Sequence, residues 1–60
     1  MDMKELINRL DAKAIRADKY AEEAFLRRDY RNYEFHDGRR GAFRDLIIEI
    51  LDSMDPAQKL

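Results

Sequence analysis

Surface chemistry needs nucleophiles, acids and bases that converge, and few residues of this chain qualify. Ser53 is its only serine and His36 its only histidine, and it has neither threonine nor cysteine. Ser53 is far along the chain from His36, so a nucleophilic triad is not available. Glu22 and Glu23 are adjacent carboxylates. Neighbours on a helix point about 100° apart, so these two do not converge as an acid and base must. Di-iron helical bundles use Glu-x-x-His pairs, but the residue three before His36 is Tyr33. Without cysteine there is neither disulfide nor thiolate metal site, and one histidine builds no imidazole cluster. The chain is therefore read as non-enzymatic, with no metal, no cofactor and no small-molecule substrate.

What remains is arginine. Residues 27–44 contain Arg27, Arg28, Arg31, Arg39, Arg40 and Arg44, against Asp29, Glu34 and Asp37. The whole chain has net charge −1, so this basic band is balanced by acidic ends. Every cation in the band is arginine, whose planar fork matches carboxylates and phosphates. A charged band on a helix is most often only a solvated face. Here Tyr30, Tyr33 and Phe35 interleave with it. Tyrosine with arginine commonly anchors protein interfaces, and also suits stacking on single-stranded nucleic acid. A pI of about 5.7 argues against nucleic acid as the main partner.

The elements that position these residues read as helix. Sixty residues allow one domain. Valine and threonine are absent and no alternating strand pattern occurs, whereas Ala, Leu, Arg, Lys and Glu dominate. Asp2-x-x-Glu5 predicts a capping box that starts a helix at Met3. The apolar stripe Met3, Leu6/Ile7, Leu10, Ala14, Ala17, Ala21, Ala24/Phe25 follows helical spacing and is bulky first, then alanine. A second helix must end before Asp55-Pro56, because proline disfavours helix at the preceding residue.

Two turns compete. Asp37-Gly38 is the louder signal, and Asp29 as an N-cap is the quieter. A turn at Asp37-Gly38 would set Ile47 and Ile50 against Arg31 and Arg28. A turn near residues 28–29 sets residue i against roughly 57 − i. Phe43, Arg40, His36 and Tyr33 then cover Ala14, Ala17, Ala21 and Ala24, large over small as packing layers require. The expected fold is all-α: an antiparallel two-helix hairpin with its turn at residues 27–30. Helix 1 spans about 3–27 and helix 2 about 30–54, leaving 55–60 as a flexible tail. The stretch Ala21-x2-Ala24-Phe25-x3-Asp29-Tyr30 is similar to the seam of tetratricopeptide-like helical hairpins, a resemblance that implies the shape and no function.

Within that hairpin Gly38 and Gly41 fall off the seam of helix 2, where they would permit a bend or a close approach. Arg39 and Arg40 lie opposite Asp18 and Ala17, so Asp18 or Glu22 is expected to pair with Arg39. His36 is expected over Ala21 as a hydrogen-bonded seam residue rather than a ligand or pH switch. A short chain with an alanine-rich seam needs a further staple. Docking two hairpins through Ile15, Leu26, Tyr33 and Leu51 would make a homodimeric four-helix bundle.

The expected function is a small interaction module, a regulator or inhibitor that blocks a larger protein. Chains of this size without catalytic groups suit such roles in phage or other mobile elements. The expected partner surface is Arg27, Arg28, Tyr30, Arg31, Gly38, Arg39, Arg40 and Gly41. The alternative is a nucleic-acid-binding homodimer using the same arginine band. No apolar run reaches the ~20 residues that span a membrane. No basic start with an apolar run marks a signal peptide. A cytoplasmic setting is therefore expected.

Overall fold

The computed structural model describes residues 2–54, so the expected tail at 55–60 lies outside the described residues. Two helices, α1 (Met3–Leu26) and α2 (Tyr30–Ser53), pack against each other as an antiparallel hairpin. Asp2 caps α1 by accepting the Glu5 backbone N–H at 2.7 Å. The Glu5 carboxylate turns forward and accepts from Arg9 at 3.0 Å. Each helix ends one residue before the expected limit, because Arg27 and Met54 serve as C-caps.

The turn is a helix-terminating motif made from an unusual residue. The Asp29 N–H donates to the Ala24 carbonyl at 2.9 Å, and the Arg28 N–H donates to the Phe25 carbonyl at 3.0 Å. This is the Schellman arrangement, which needs a left-handed residue and usually takes glycine for it. Here that residue is Arg28, at φ 61°. Asp29 then caps α2, accepting from the Asn32 side chain at 2.6 Å and its backbone N–H at 3.4 Å. Asp37-Gly38 makes no turn. Gly38 and Gly41 lie inside an unbroken α2 with ordinary negative φ.

Ala14, Ala17, Ala21 and Ala24 are the buried residues among those described, and all sit on α1. Alanine at the contact lets the helix axes approach closely, towards the ~8 Å limit. Across from them Tyr33, His36, Arg40, Phe43, Ile47 and Ile50 are half-buried along one side of α2. The rings of Tyr20 and His36 lie 5.4 Å apart, as do those of Phe25 and Tyr33, and Asp18 meets Arg40 at 3.0 Å. Each pair falls within one position of the i-to-57 − i register.

Candidate functional site

The arginine band separates into three places. At the hairpin tip Arg27, Arg28, Tyr30 and Arg31 are exposed. Tyr30 meets the edge of Phe25 at 5.9 Å, so the tip has a small aromatic base of Phe25, Tyr30 and Tyr33. Gly38 and Gly41 are exposed on the outer side of α2, and a Cβ added at either would meet nothing within 4 Å. They open a flat lane on the helix rather than relieve a contact inside the hairpin.

The second place is an ion-pair clamp. Asp18 on α1 accepts from Arg40 at 3.0 Å and from Arg44 at 2.5 and 3.2 Å. Arg40 also pairs with Asp37. Hydrogen bonds from Arg44 first and Arg40 second hold the Asp18 carboxyl below its ordinary value. This corrects the expected Asp18–Arg39 pair. Arg39 and Arg40 point about 100° apart on the helix, and Arg44 sits one turn beyond Arg40 on the same side. Glu22 lines an open depression with Asp18, Phe25, Tyr33 and Arg40, and makes no ion pair with a described residue.

Arg39 makes the third place. Its Nη1 lies 3.2 Å from His36 Nδ1. Its guanidinium sits over two rings, 5.6 Å from the Phe35 centroid and 5.9 Å from that of Phe43. His36 in turn lies between Tyr20 at 5.4 Å and Phe35 at 5.1 Å. An arginine donates only, so the contact is a hydrogen bond in the tautomer that leaves Nδ1 free to accept. His36 is thus a hydrogen-bonded seam residue tied to Arg39. Spacing of four residues in 35/39/43 and 40/44 was the signal for both arginine clusters.

The residues expected at a dimer interface differ among themselves. Leu26 is 73% exposed, Ile15 57% and Leu51 40%, whereas Tyr33 packs on Phe25 within its own chain. Phe35, at 62%, is more exposed than Ile15 and shares its flank with the exposed Tyr20 and Leu46, whereas Ile48 lies on the other side of α2.

Helical geometry divides the charges between two flanks of the hairpin. The flank of Tyr20, Phe35 and Arg39 also carries Arg9, Lys13, Arg16 and Arg31, against Glu5, Glu23 and Glu49. The opposite flank carries Asp11, Asp18, Glu22, Glu34 and Asp37 with Lys4, and its Arg40 and Arg44 are spent in the clamp. Lys13, Arg16, Arg31 and Arg39 have no carboxylate within 4 Å among the described residues. The near-zero net charge hides this division. Among the described residues no helix is long and apolar enough to cross a membrane, and no three His, Asp or Glu residues gather to hold a metal ion. Compared with known proteins, the chain matches no family model, no curated protein and no solved structure.

Proposed function

We propose that this chain is a non-catalytic interaction module that regulates or inhibits a larger protein by covering part of its surface. One observation carries this reading. The buried core of the described residues is four alanines, while ten large apolar side chains stay at least 40% exposed. Large apolar surface left in water is what interfaces consume. A four-alanine core contributes little hydrophobic stabilisation, because the driving force scales with apolar area removed from water. Self-association would supply the missing burial, as small scaffolds commonly require. Two hairpins joined through Ile15, Leu26, Tyr33 and Leu51 would form a four-helix bundle. Those positions fall on the flank away from Phe35 and Arg39, so a dimer leaves the arginine–aromatic flank open.

The test has two arms. Sedimentation equilibrium across micromolar concentrations should give a dimer, and Ile15→Glu/Leu26→Glu should give a monomer. A folded wild-type monomer over that range removes the bundle. In the second arm, tagged chain is incubated with cell lysate, with and without nuclease, beside an Arg28→Gly/Arg31→Glu variant. A nuclease-resistant protein band lost in the variant is expected. Recovery of nuclease-sensitive material alone would replace this reading with nucleic-acid binding.

A further inference from the structure

We propose that the flank of Tyr20, Phe35, Arg39 and Leu46 is a groove for an acidic amphipathic helix of the partner, with Arg39 receiving one of its carboxylates. The inference rests on the interaction-module reading and adds the chemistry of what binds.

Arg39 is the anchor. It is half-buried, stacked between Phe35 and Phe43, and gives one donor to His36 Nδ1. A guanidinium has five N–H donors, so most of its hydrogen-bonding capacity is open. Stacking restricts the side chain in advance, so less rotamer freedom remains to be lost on binding. No carboxylate of the described residues approaches within 4 Å of it. An oxyanion with two oxygens on one centre fits this fork bidentately.

The surroundings choose between carboxylate and phosphate. Beyond Arg39 the flank continues into an open depression lined by Leu46, Glu49, Ile50 and Ser53. The aliphatic side chains of this depression give bases no stacking platform, and it holds no cation to follow a phosphate backbone beyond Arg39. The same surface suits the apolar stripe of a helix lying in a groove. From Phe35 to Ile50 the floor runs about 22 Å at 1.5 Å per residue, room for about four turns. Lys13 and Arg16 border the groove on α1 and Arg39 lies within it on α2, against Glu23 and Glu49 at its margins. The excess of cations, centred on Arg39 and the α1 side, calls for acidic residues on the side of the incoming apolar stripe that faces α1.

The probe is a labelled 20-residue helical peptide with a Leu/Ile stripe bordered on one side by Glu. Its controls are the same peptide with Lys for Glu, and a single-stranded oligothymidylate of equal length. Fluorescence anisotropy at 0.15 M salt should register binding of the acidic peptide only. Arg39→Gln should weaken it about tenfold or more, as loss of charge-assisted bonds predicts. Arg39→Lys should recover only part, because an ammonium lacks the fork. Circular dichroism establishes that both variants fold. Amide shift perturbation in the wild type should centre on Tyr20, Phe35, His36, Arg39 and Leu46. Undiminished binding by Arg39→Gln, equal binding of both peptides, perturbations on the opposite flank, or tighter binding of the oligonucleotide would each overturn the proposal. Failure of the acidic peptide to bind, while the chain still captures protein through Arg28 and Arg31, sinks this inference and spares the module reading. Failure of both sinks both.

Discussion

Arg28 occupies the one position of the hairpin where glycine would be the better residue. At φ 61° its Cβ crowds the following backbone, at a cost of about 1–2 kcal/mol for a non-glycine residue. The conformation is imposed by the two bonds that terminate α1, from Asp29 to Ala24 and from Arg28 to Phe25. Glycine at this position removes the crowding but enlarges the unfolded ensemble, which returns about 0.4–1 kcal/mol. Arg28→Gly should therefore exceed Arg28→Ala in stability by about 0.5–1 kcal/mol. The alanine variant is the proper reference. It keeps the crowding and removes the guanidinium, whose charge near the C-terminus of α1 contributes a few tenths of a kcal/mol through the helix dipole. Urea unfolding followed by far-UV circular dichroism reads the difference as a midpoint shift of about 0.5–1 M, for a slope near 1 kcal/mol/M. Both variants must be compared at one protein concentration, since self-association raises apparent stability. If Arg28→Gly is no more stable than Arg28→Ala, Arg28 is not left-handed. The chain would then reverse elsewhere, and Asp37-Gly38 would return as the turn.

Asp18→Asn should lower stability at neutral pH and flatten the acid limb of the stability curve. The Asp18 carboxyl is held below its ordinary 3.8, so its contribution is present above about pH 4 and is lost as pH falls through the folded value. Denaturant midpoints between pH 2 and 7, wild type beside variant, measure both effects. Gly38→Ala and Gly41→Ala should each stabilise α2 by roughly 0.5–1 kcal/mol, because both sit mid-helix with open space where the methyl would go. Ala17→Leu should destabilise by about 1–3 kcal/mol through overpacking of a fully buried position. An unchanged urea midpoint for that variant would mean the seam does not close over α1.

The hairpin was legible because two independent patterns agree on it. The alanine series at 14, 17, 21 and 24 marks a helix face that accepts close neighbours, and one register alone sets bulky α2 residues above it. Local turn chemistry pointed elsewhere: the left-handed position holds Arg28, while a glycine sits in the helix at Gly38. Packing outweighed local signal there. The partners of Asp18 were less legible for a geometric reason. A register read from apolar pairing locates the facing turn but not the direction of each side chain in it. Arg39 and Arg40 share that turn and leave it on different flanks, one into an aromatic stack and the other into the clamp. The stack itself is written in the spacing of Phe35, Arg39 and Phe43, but only when that spacing is read as a ladder on one flank rather than as aromatics scattered around the helix.

Arg28 and the two glycines are therefore exchanged relative to what local stability asks: a left-handed arginine at the tip, and mid-helix glycines with nothing against them. Chains that break local rules tend to do so where they function. The combination Arg28→Gly/Gly38→Ala/Gly41→Ala gives that tendency a measurable form. Arg28 precedes α2, ten residues and roughly 15 Å from Gly38, and a methyl at either glycine meets nothing within 4 Å, so the three gains should nearly add, to about 2 kcal/mol. If the tip and the glycine lane touch the partner, the triple variant unfolds at higher urea and binds more weakly. That pairing cannot arise from misfolding, which lowers both together, and it is the trade-off expected where function holds stability down. If instead stability rises and capture of the partner is unchanged, neither the tip nor the lane belongs to the interface. The partner's footprint then contracts to the Phe35–Arg39 flank, where Arg39→Gln alone should abolish capture.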